Sequence, residues 1–208
     1  MKIGIIGAGN VATGLTKLLG PKGHEAMLSL SRDPSKLAET AQVFGTKSGS
    51  VQAAIAFGDV VVLATPWHAT KEALAQAGIP ANKKIVWDCT NALKPDMSGL
   101  AVGTTTSAAE EIQKAAPWAR VVKAIPPFAE LMHTGSVRVA GTPVGVFVAS
   151  DDSAAKETVT SLVQDLGADP ADAGPLANAR YIEPAAFLLV QLAYVQGLGP
   201  KIGLSLLH

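Results

Sequence analysis

The sequence predicts an α/β fold, a Rossmann-type doubly wound parallel sheet with a small C-terminal α/β lobe. The apolar run Ile3 to Ile6 breaks directly into glycines and a helical pattern. In the segment 59–64, Asp59 is followed by three valines, Leu63 and Ala64, which is typical of a buried parallel strand. Strand and helix patterns alternate up to residue 125. We therefore expect a Rossmann domain over residues 1–125 and a smaller lobe over residues 126–208.

The individual elements follow from local patterns. Strands are predicted at residues 3–6, 24–30, 45–48, 59–64, 84–87, 120–125 and 145–149, with an extended piece at 168–173. Helices are predicted at residues 15–19, 35–44, 50–57, 70–77 and 153–166. A further helix begins at Ser107, because Ser107 and Glu110 have the spacing of a capping box. Residues 65–68 are predicted as a loop.

The segment 176–196 is predicted to be one long helix with a kink at Pro184. It is apolar on nearly all sides, and such a helix must be buried. Two interpretations remain open: a subunit interface, which we favour and which predicts a homodimer, or a central helix covered by the C-terminal tail.

The turn after the first strand has the spacing of a dinucleotide fingerprint, Gly7-Ala8-Gly9-Asn10-Val11-Ala12. The first glycine allows a tight turn, the second lets a diphosphate approach the backbone, and Ala12 lets the helix pack close to the strand. The free N–H groups of the helix start favour an anion. The sequence therefore predicts that a dinucleotide binds at Gly7, Ala8, Gly9, Asn10 and Val11.

The end of the second strand indicates which dinucleotide binds. NAD sites usually carry an acidic residue there, whereas this chain has Ser31 and Arg32, followed by Lys36. Such groups suit a 2′-phosphate. We therefore predict NADP(H), with Ser31, Arg32 and Lys36 at the phosphate. The alternative is a solvated basic loop, in which Asp33 only begins the next helix.

Ligands of doubly wound sheets bind at the carboxyl ends of the strands. The loops after Ile6, Leu30, Ala64 and Trp87 should therefore line one crevice. Further cofactor contacts are predicted there at Thr65, Pro66, Trp67 and Asn91. Asp88, Cys89 and Thr90, in the same loop as Asn91, are further candidates for contact with the cofactor. For Trp67 the alternative is an aromatic side chain that caps the core.

Composition excludes several classes of function. The chain has 208 residues with a formal net charge of zero, which argues against nucleic acid or an anionic membrane as a partner. The single cysteine, Cys89, excludes an internal disulfide and a cysteine-built metal site, so no metal is expected. No segment has the layout of a signal peptide or a membrane span. A cytoplasmic protein with a small-molecule substrate is expected.

The C-terminal part resembles a known family. The run Asp172-Ala-Gly-Pro-Leu-Ala-Asn-Ala-Arg180, then Glu183, then the tail 197–202, is similar to the end of the coenzyme F420-dependent NADP oxidoreductases. The fingerprint, Ser31-Arg32 and residues 65–67 match in the same order. The resemblance implies a dimeric Rossmann protein that binds NADP(H) and exchanges a hydride with a deazaflavin stacked on the nicotinamide. In similar domains of ferric-reducing membrane proteins a flavin takes the acceptor's place.

One segment departs from that family. Its deazaflavin enzymes carry His-Thr after the strand that matches 120–125, whereas this chain has Pro126-Pro127-Phe128. The departure lies where the acceptor approaches, so it affects the choice of acceptor and leaves the NADP site unchanged. His133 is a candidate for replacing the missing polar group. The acceptor pocket is expected between residues 65–68, 90–93 and 126–128, with the C-terminal tail over it.

No catalytic side chain is predicted, since hydride transfer between stacked rings needs placement and exclusion of water. Glu110 and Glu183 are given structural roles, as a helix cap and as the i,i+3 partner of Arg180. The alternative functions are reduction of another small acceptor, such as a quinone or, as in pyrroline-carboxylate reductases, an imine, and a non-enzymatic NADP-sensing module.

Overall fold

A six-stranded parallel sheet forms the centre of the computed structural model, which describes residues 1–30, 33–78, 80 and 83–207. The strands are β1 (Lys2–Ile6), β2 (Glu25–Ser29), β3 (Lys47–Gly49), β4 (Val60–Leu63), β5 (Lys84–Asp88) and β6 (Ala119–Lys123). Their spatial order is β3-β2-β1-β4-β5-β6, and every neighbouring pair is parallel. The predicted doubly wound sheet is confirmed, and its strand order reverses between β1 and β4.

Helices connect the successive strands. They are α1 (Asn10–Leu19), α2 (Pro34–Val43), α3 (Val51–Phe57), α4 (Trp67–Ala77) and α5 (Ala108–Ala115). Two of them begin earlier than predicted. Helix α1 begins directly after Gly9, and α4 begins directly after Pro66, so the prediction of a loop at residues 67 and 68 is wrong. A proline before the first helical turn explains the second difference, because its missing N–H is not needed there.

The chain beyond residue 125 adds elements beside β6. They are α6 (Ala129–His133), β7 (Arg138–Val139), β8 (Thr142–Pro143), β9 (Gly145–Val148), α7 (Ser153–Asp165), β10 (Asp169–Asp172) and α8 (Ala179–Val190). Strands β9 and β10 are parallel. The backbone groups of Lys123 and Ala149 exchange hydrogen bonds of 2.8 and 2.9 Å, which attaches the end of β9 to β6.

Apolar residues pack on both faces of the sheet. Ile3 and Ile5 of β1 face one cluster and Ile6 faces the other, as expected for alternating side chains. The first cluster also contains Val146 of β9 and Leu162 of α7. Residues from both sides of position 125 therefore share one core, and the division into domains 1–125 and 126–208 stays a prediction.

The predicted helix 176–196 consists of three pieces. A 3₁₀ turn (Leu176–Asn178) precedes α8, and a π-helical turn (Gln191–Val195) follows it. Within a single chain the segment is not buried all round: Tyr181 is 74% exposed and Leu188 is 59% exposed. In the described residues we find no helix with the length and apolarity needed to cross a membrane.

The N-terminus of α5 confirms the predicted capping box and corrects one ion pair. Ser107 Oγ accepts a hydrogen bond from the Glu110 N–H at 3.2 Å and donates to Glu110 Oε2 at 2.9 Å. The pairing of Arg180 with Glu183 was wrong. Arg180 Nε and Nη2 donate to Glu110 instead, at 2.9 and 2.6 Å. The side chain of Glu183 points to a different partner, described below.

The ion pair between Arg180 and Glu110 should make a pH-dependent contribution to stability. The hydrogen bond from Arg180 lowers the pKa of Glu110 below its ordinary value of 4.5, although burial opposes the shift. The contribution is therefore present above pH 4.5 and is lost as the pH falls through the lowered pKa. We expect Arg180→Met to cost about 1 kcal/mol at neutral pH and less below pH 4, measured by urea unfolding. Lys114→Met, at an exposed pair, is the control, and a pH-independent loss in Arg180→Met would contradict the assignment.

Candidate dinucleotide site

The turn between β1 and α1 uses its two glycines differently. Gly7 has a φ of +133°, and a Cβ at this position would lie 2.4 Å from the carbonyl oxygen of Ala64. Gly7 is therefore required for the close packing of β1 against the end of β4. A Cβ at Gly9 would meet no heavy atom within 4 Å. The space beside Gly9 is open, as the approach of a ligand to the backbone requires.

The N-terminus of α1 is free of side-chain caps. Gly9 occupies the N-cap position without a capping hydrogen bond, and the first turn has no acidic residue. The first N–H that enters the helix is that of Thr13, which donates to the Gly9 carbonyl at 3.0 Å. The preceding N–H groups and the helix dipole give this end a positive potential, which suits a diphosphate.

The proposed 2′-phosphate region is described only in part. Ser31 and Arg32 lie outside the described residues. Lys36 is exposed on the first turns of α2. Asp33 caps that helix, since its Oδ1 accepts hydrogen bonds from the N–H and hydroxyl of Ser35 at 3.0 and 2.6 Å. These bonds lower the pKa of Asp33 and agree with the expectation that it begins the helix.

A cavity of about 490 Å³ lies at the carboxyl ends of β1, β4, β5 and β6. It is lined by six of the predicted contact residues: Gly9, Asn10, Val11, Thr65, Pro66 and Asn91. Residues 126–128, α8 and residues 202–204 of the tail complete the wall. These are the regions expected around an acceptor. Glu130 is the only charged residue in the described lining.

The other described residues that we predicted as cofactor contacts lie elsewhere. Gly7, Ala8 and Lys36 are not part of the cavity lining. Trp67 packs against the core cluster on the other face of the sheet and lines a separate groove with Leu74 and Ile112. That position matches the alternative of a core-capping aromatic, and a cofactor contact of Trp67 stays a prediction.

A buried ion cluster stands at the end of β5. Asp88, Lys123 and Glu183 are at most 1% exposed. Lys123 Nζ lies 2.8 Å from Asp88 Oδ2 and 3.0 Å from Glu183 Oε1. Burial alone would lower the pKa of the Lys123 ammonium, but the two carboxylates raise it above its usual value. Asp88 is thus engaged in an internal ion pair and does not line the cavity, and its contact with the cofactor stays a prediction.

Glu183 also caps α5, a role that we did not predict from the sequence. Its Oε2 accepts from the Ala108 N–H at 2.9 Å and its Oε1 from the Ala109 N–H at 3.2 Å. The sequence gives only a weak indication of this pairing. Lys123 is a charged residue in a largely apolar strand, and Glu183 is one in a largely apolar helix. Two opposite charges in such surroundings are the only indication that they pair.

Two buried polar atoms of the cavity wall have no partner within the described part of the chain. They are Thr90 Oγ1 and Asn91 Oδ1. Thr90 is 2% exposed, and the Asn91 amide nitrogen already donates to the Glu183 carbonyl at 3.4 Å. Unpaired buried acceptors cost free energy unless a ligand satisfies them. A carboxamide group such as that of nicotinamide offers the matching N–H donors, so these residues fit the predicted cofactor.

The cavity offers no activated nucleophile. Burial, with the charge of Asp88, raises the pKa of the Cys89 thiol well above its usual value, so the thiol stays neutral. Among the described residues no group of histidine, cysteine or acidic side chains could hold a metal ion.

The mouth of the cavity carries a polar pair that we did not predict. The hydroxyl of Tyr194 donates to Glu130 Oε1 at 2.9 Å, and burial together with Glu130 raises the pKa of Tyr194 to about 12. The ring of Phe128 meets that of Tyr194 edge to face at 5.8 Å. Tyr194 therefore remains protonated at neutral pH, with its hydroxyl proton donated to Glu130.

His133 does not take the place of the missing polar group. It ends α6 outside the cavity lining, with Nε2 3.1 Å from the Asn10 carbonyl oxygen and 3.2 Å from Thr13 Oγ1. Its position supports the first turn of α1.

The chain is similar to several solved structures. A candidate F420-dependent NADP reductase from Arthrobacter sp. FB24 has the same fold, with a TM-score of 0.88 and 27% identity over 100% of both chains. The hypothetical protein SMa0349 of Sinorhizobium meliloti is similar, with a TM-score of 0.76 and 26% identity over 100% of this chain and 95% of that one. A reductive aminase from Aspergillus terreus in complex with NADPH has a TM-score of 0.68 and 15% identity over 90% of this chain and 60% of that one, which shows the fold alone.

The chain is an NADP-dependent oxidoreductase of the Rossmann type, as the sequence predicted. Within that class, residues 2–92 match the model of the family described as NADP oxidoreductase, coenzyme F420-dependent. The resemblance found in the sequence is confirmed.

Proposed function

We propose that the protein transfers a hydride between NADPH and a deazaflavin of the coenzyme F420 type, or a flavin. One observation carries the proposal: a single apolar cavity runs from the uncapped end of α1 to α8 and the tail. A cavity of this kind suits a flat ring system stacked on a nicotinamide.

The cofactor is placed by the same wall. In the proposal, the diphosphate binds at Gly9, Asn10 and Val11, in the turn formed with Gly7 and Ala8. Thr65, Pro66 and Asn91 border the nicotinamide half. Ser31, Arg32 and Lys36 bind the 2′-phosphate.

When bound, NADPH supplies the hydride, and the chain provides placement and a dry environment. Thr90 Oγ1 and Asn91 Oδ1 accept hydrogen bonds and fix the orientation of the nicotinamide ring. Apolar side chains of α8 and the tail, such as Leu189 and Ile202, exclude water from the reacting faces. The neutral Cys89 takes no part in covalent chemistry.

Glu130 favours a second candidate acceptor. A carboxylate is the only charge in the described lining, so a cationic acceptor such as an iminium ion would gain an attraction there that an anion would not. Tyr194 donates its hydroxyl proton to Glu130 and helps to hold that carboxylate in place. Reduction of a small imine or quinone is therefore the alternative, and an NADP-sensing module without turnover is the third possibility.

An acceptor panel separates these functions. The protein is mixed under anaerobic conditions with NADPH and, in turn, coenzyme F420, FMN, FAD, a quinone and a cyclic imine, and the absorbance of reduced nicotinamide is followed. We expect oxidation of NADPH with the deazaflavin. Activity with the imine alone would favour the second candidate, and tight binding of NADPH without any turnover would favour the sensing module.

Cofactor preference is tested at Arg32. We expect NADPH to bind at least about tenfold more tightly than NADH, because a charge-assisted contact to the 2′-phosphate is worth about 1.5–3 kcal/mol. Arg32→Ala should remove most of this preference and Lys36→Ala a smaller part, measured by fluorescence titration. Lys71→Ala, an exposed cation on α4, should change neither affinity. Equal affinities of the unmodified protein for both cofactors would refute the assignment.

We also propose a homodimer through the exposed face of α8 and the following turn. Tyr181, Leu188 and Val195 are 74%, 59% and 65% exposed there. Leu188→Asp should yield monomers at concentrations where the unmodified protein sediments as a dimer, whereas Val43→Asp on α2 should not. A monomeric unmodified protein would contradict this proposal.

A further inference from the structure

Lys123 donates to one residue of the cavity wall, Thr90, and to two carboxylates behind it. Besides Asp88 and Glu183, its ammonium donates to the carbonyl oxygen of Thr90 at 2.5 Å. The three donors of the ammonium thus have three acceptors. None of its bonds reaches solvent, since the side chain is 0% exposed.

The backbone of Thr90 is held from both sides by this cluster. Its N–H donates to Asp88 Oδ1 at 2.8 Å, and its carbonyl accepts from Lys123. Because both backbone groups are engaged, the peptide planes around Thr90 are fixed. The hydroxyl remains the free polar group, in the cavity wall and without a partner.

The same cluster holds the neighbouring residue. The Asn91 amide nitrogen donates to the carbonyl of Glu183 at 3.4 Å, and the carboxylate of Glu183 is bound by Lys123. This leaves Asn91 Oδ1 as the second unpartnered acceptor. One ammonium therefore fixes both acceptors in the wall.

We propose that Lys123 is a positioning residue for the nicotinamide half of NADPH: it holds Thr90 and Asn91 so that their free oxygens meet the cofactor. The inference rests on the proposed function. The competing explanation is that the ion cluster serves stability only, in which case cofactor affinity would follow the stability of the fold.

Two variants separate these roles. Lys123→Met leaves two buried carboxylates without a counter-charge, so a loss of stability is expected whatever its role. Lys123→Met/Glu183→Gln returns the cluster to its original net charge, and the introduced amide can still accept at α5 and donate to Asp88. In both variants the Thr90 carbonyl has lost its donor.

Two ligands report on the two halves of the site. NADPH occupies both halves, whereas 2′-phospho-ADP-ribose lacks the nicotinamide. In the double variant we expect the dissociation constant of NADPH to rise about tenfold, as for a lost hydrogen bond to a charged group. The affinity for 2′-phospho-ADP-ribose should stay near that of the unmodified protein. The unfolding temperature should lie above that of Lys123→Met but below that of the unmodified protein, because Asp88 remains buried without a counter-charge. If the single variant does not fold, the double variant supplies the comparison.

A double variant that regains both stability and NADPH affinity would overturn the positioning role, as would an equal loss for both ligands. Failure of the unmodified protein to bind NADPH while it binds 2′-phospho-ADP-ribose would also overturn it. Failure to bind either ligand would instead remove the proposed function itself.

Discussion

Replacing Gly9 with valine is expected to abolish NADPH binding while the chain remains folded. A Cβ at Gly9 meets no heavy atom within 4 Å, so a branched side chain has room there without displacing the core. Its φ of −85° and ψ of −171° are values that valine adopts readily. The side chain instead fills the approach of the diphosphate to the N-terminus of α1.

We expect the dissociation constant to rise about a hundredfold or more, which corresponds to ~3 kcal/mol. Isothermal titration measures the affinity, and thermal unfolding checks the fold. Gly9→Ala should give a smaller loss. Unchanged affinity in a folded Gly9→Val variant would place the diphosphate elsewhere.

Gly7→Ala is the contrasting control in the same turn. Its Cβ would lie 2.4 Å from the Ala64 carbonyl oxygen, and its φ is in a region that favours glycine. This variant should lose stability first, and ligand binding only as a consequence. A loss of NADPH affinity at Gly9 and a loss of stability at Gly7 would show that Gly9 is needed for the ligand and Gly7 for packing.

Glu183→Ala should cause the largest loss of stability. The substitution leaves Asp88 as the one carboxylate partner of the buried Lys123 ammonium, and it removes both acceptors from the N-terminus of α5. Each buried N–H group left without an acceptor costs about 1–3 kcal/mol. For two such groups this is a large part of the stability of an ordinary domain, about 5–15 kcal/mol. Urea unfolding measures the difference.

Glu111→Ala is the matched control on α5. Glu111 pairs with Lys114 at 2.8 Å, and the Lys114 side chain is 67% exposed. Its removal should change the free energy of unfolding by less than about 1 kcal/mol. If Glu111→Ala and Glu183→Ala lowered the free energy of unfolding equally, burial would not determine how much the ion cluster stabilises the fold.

The parallel sheet and the dinucleotide turn could be predicted because they depend on local patterns. The apolar run before Gly7 predicts β1, and the spacing of Gly7, Gly9 and Ala12 predicts how helix and strand meet. The capping box at Ser107 is similarly contained in four consecutive residues. In each case neighbours in sequence are neighbours in space.

The ion pairs could not be predicted because they join distant segments. Arg180 has an acidic residue three positions away, Glu183, yet it binds Glu110. The carboxylate of Glu183 instead binds Lys123 and the N-terminus of α5. Local spacing favoured the wrong partner, since the tertiary fold decided the charge pairing.

The acceptor side of the cavity was predicted only by region. Residues 126–128 and the tail were expected there, and the structure brings them together. Glu130 and Tyr194 were missed, because their contact depends on how α6 faces the π-helical turn after α8. No periodic pattern contains that information.

Transfer of deuterium from the C4 position of labelled NADPH would demonstrate direct hydride transfer to a deazaflavin. In a single turnover with coenzyme F420, we expect the label from one face of the nicotinamide to appear at C5 of the deazaflavin. None should appear in the solvent, because the transfer is direct and the cavity excludes water. Reduction of the deazaflavin with loss of the label to water, or tight NADPH binding with the label retained on the nicotinamide, would contradict it.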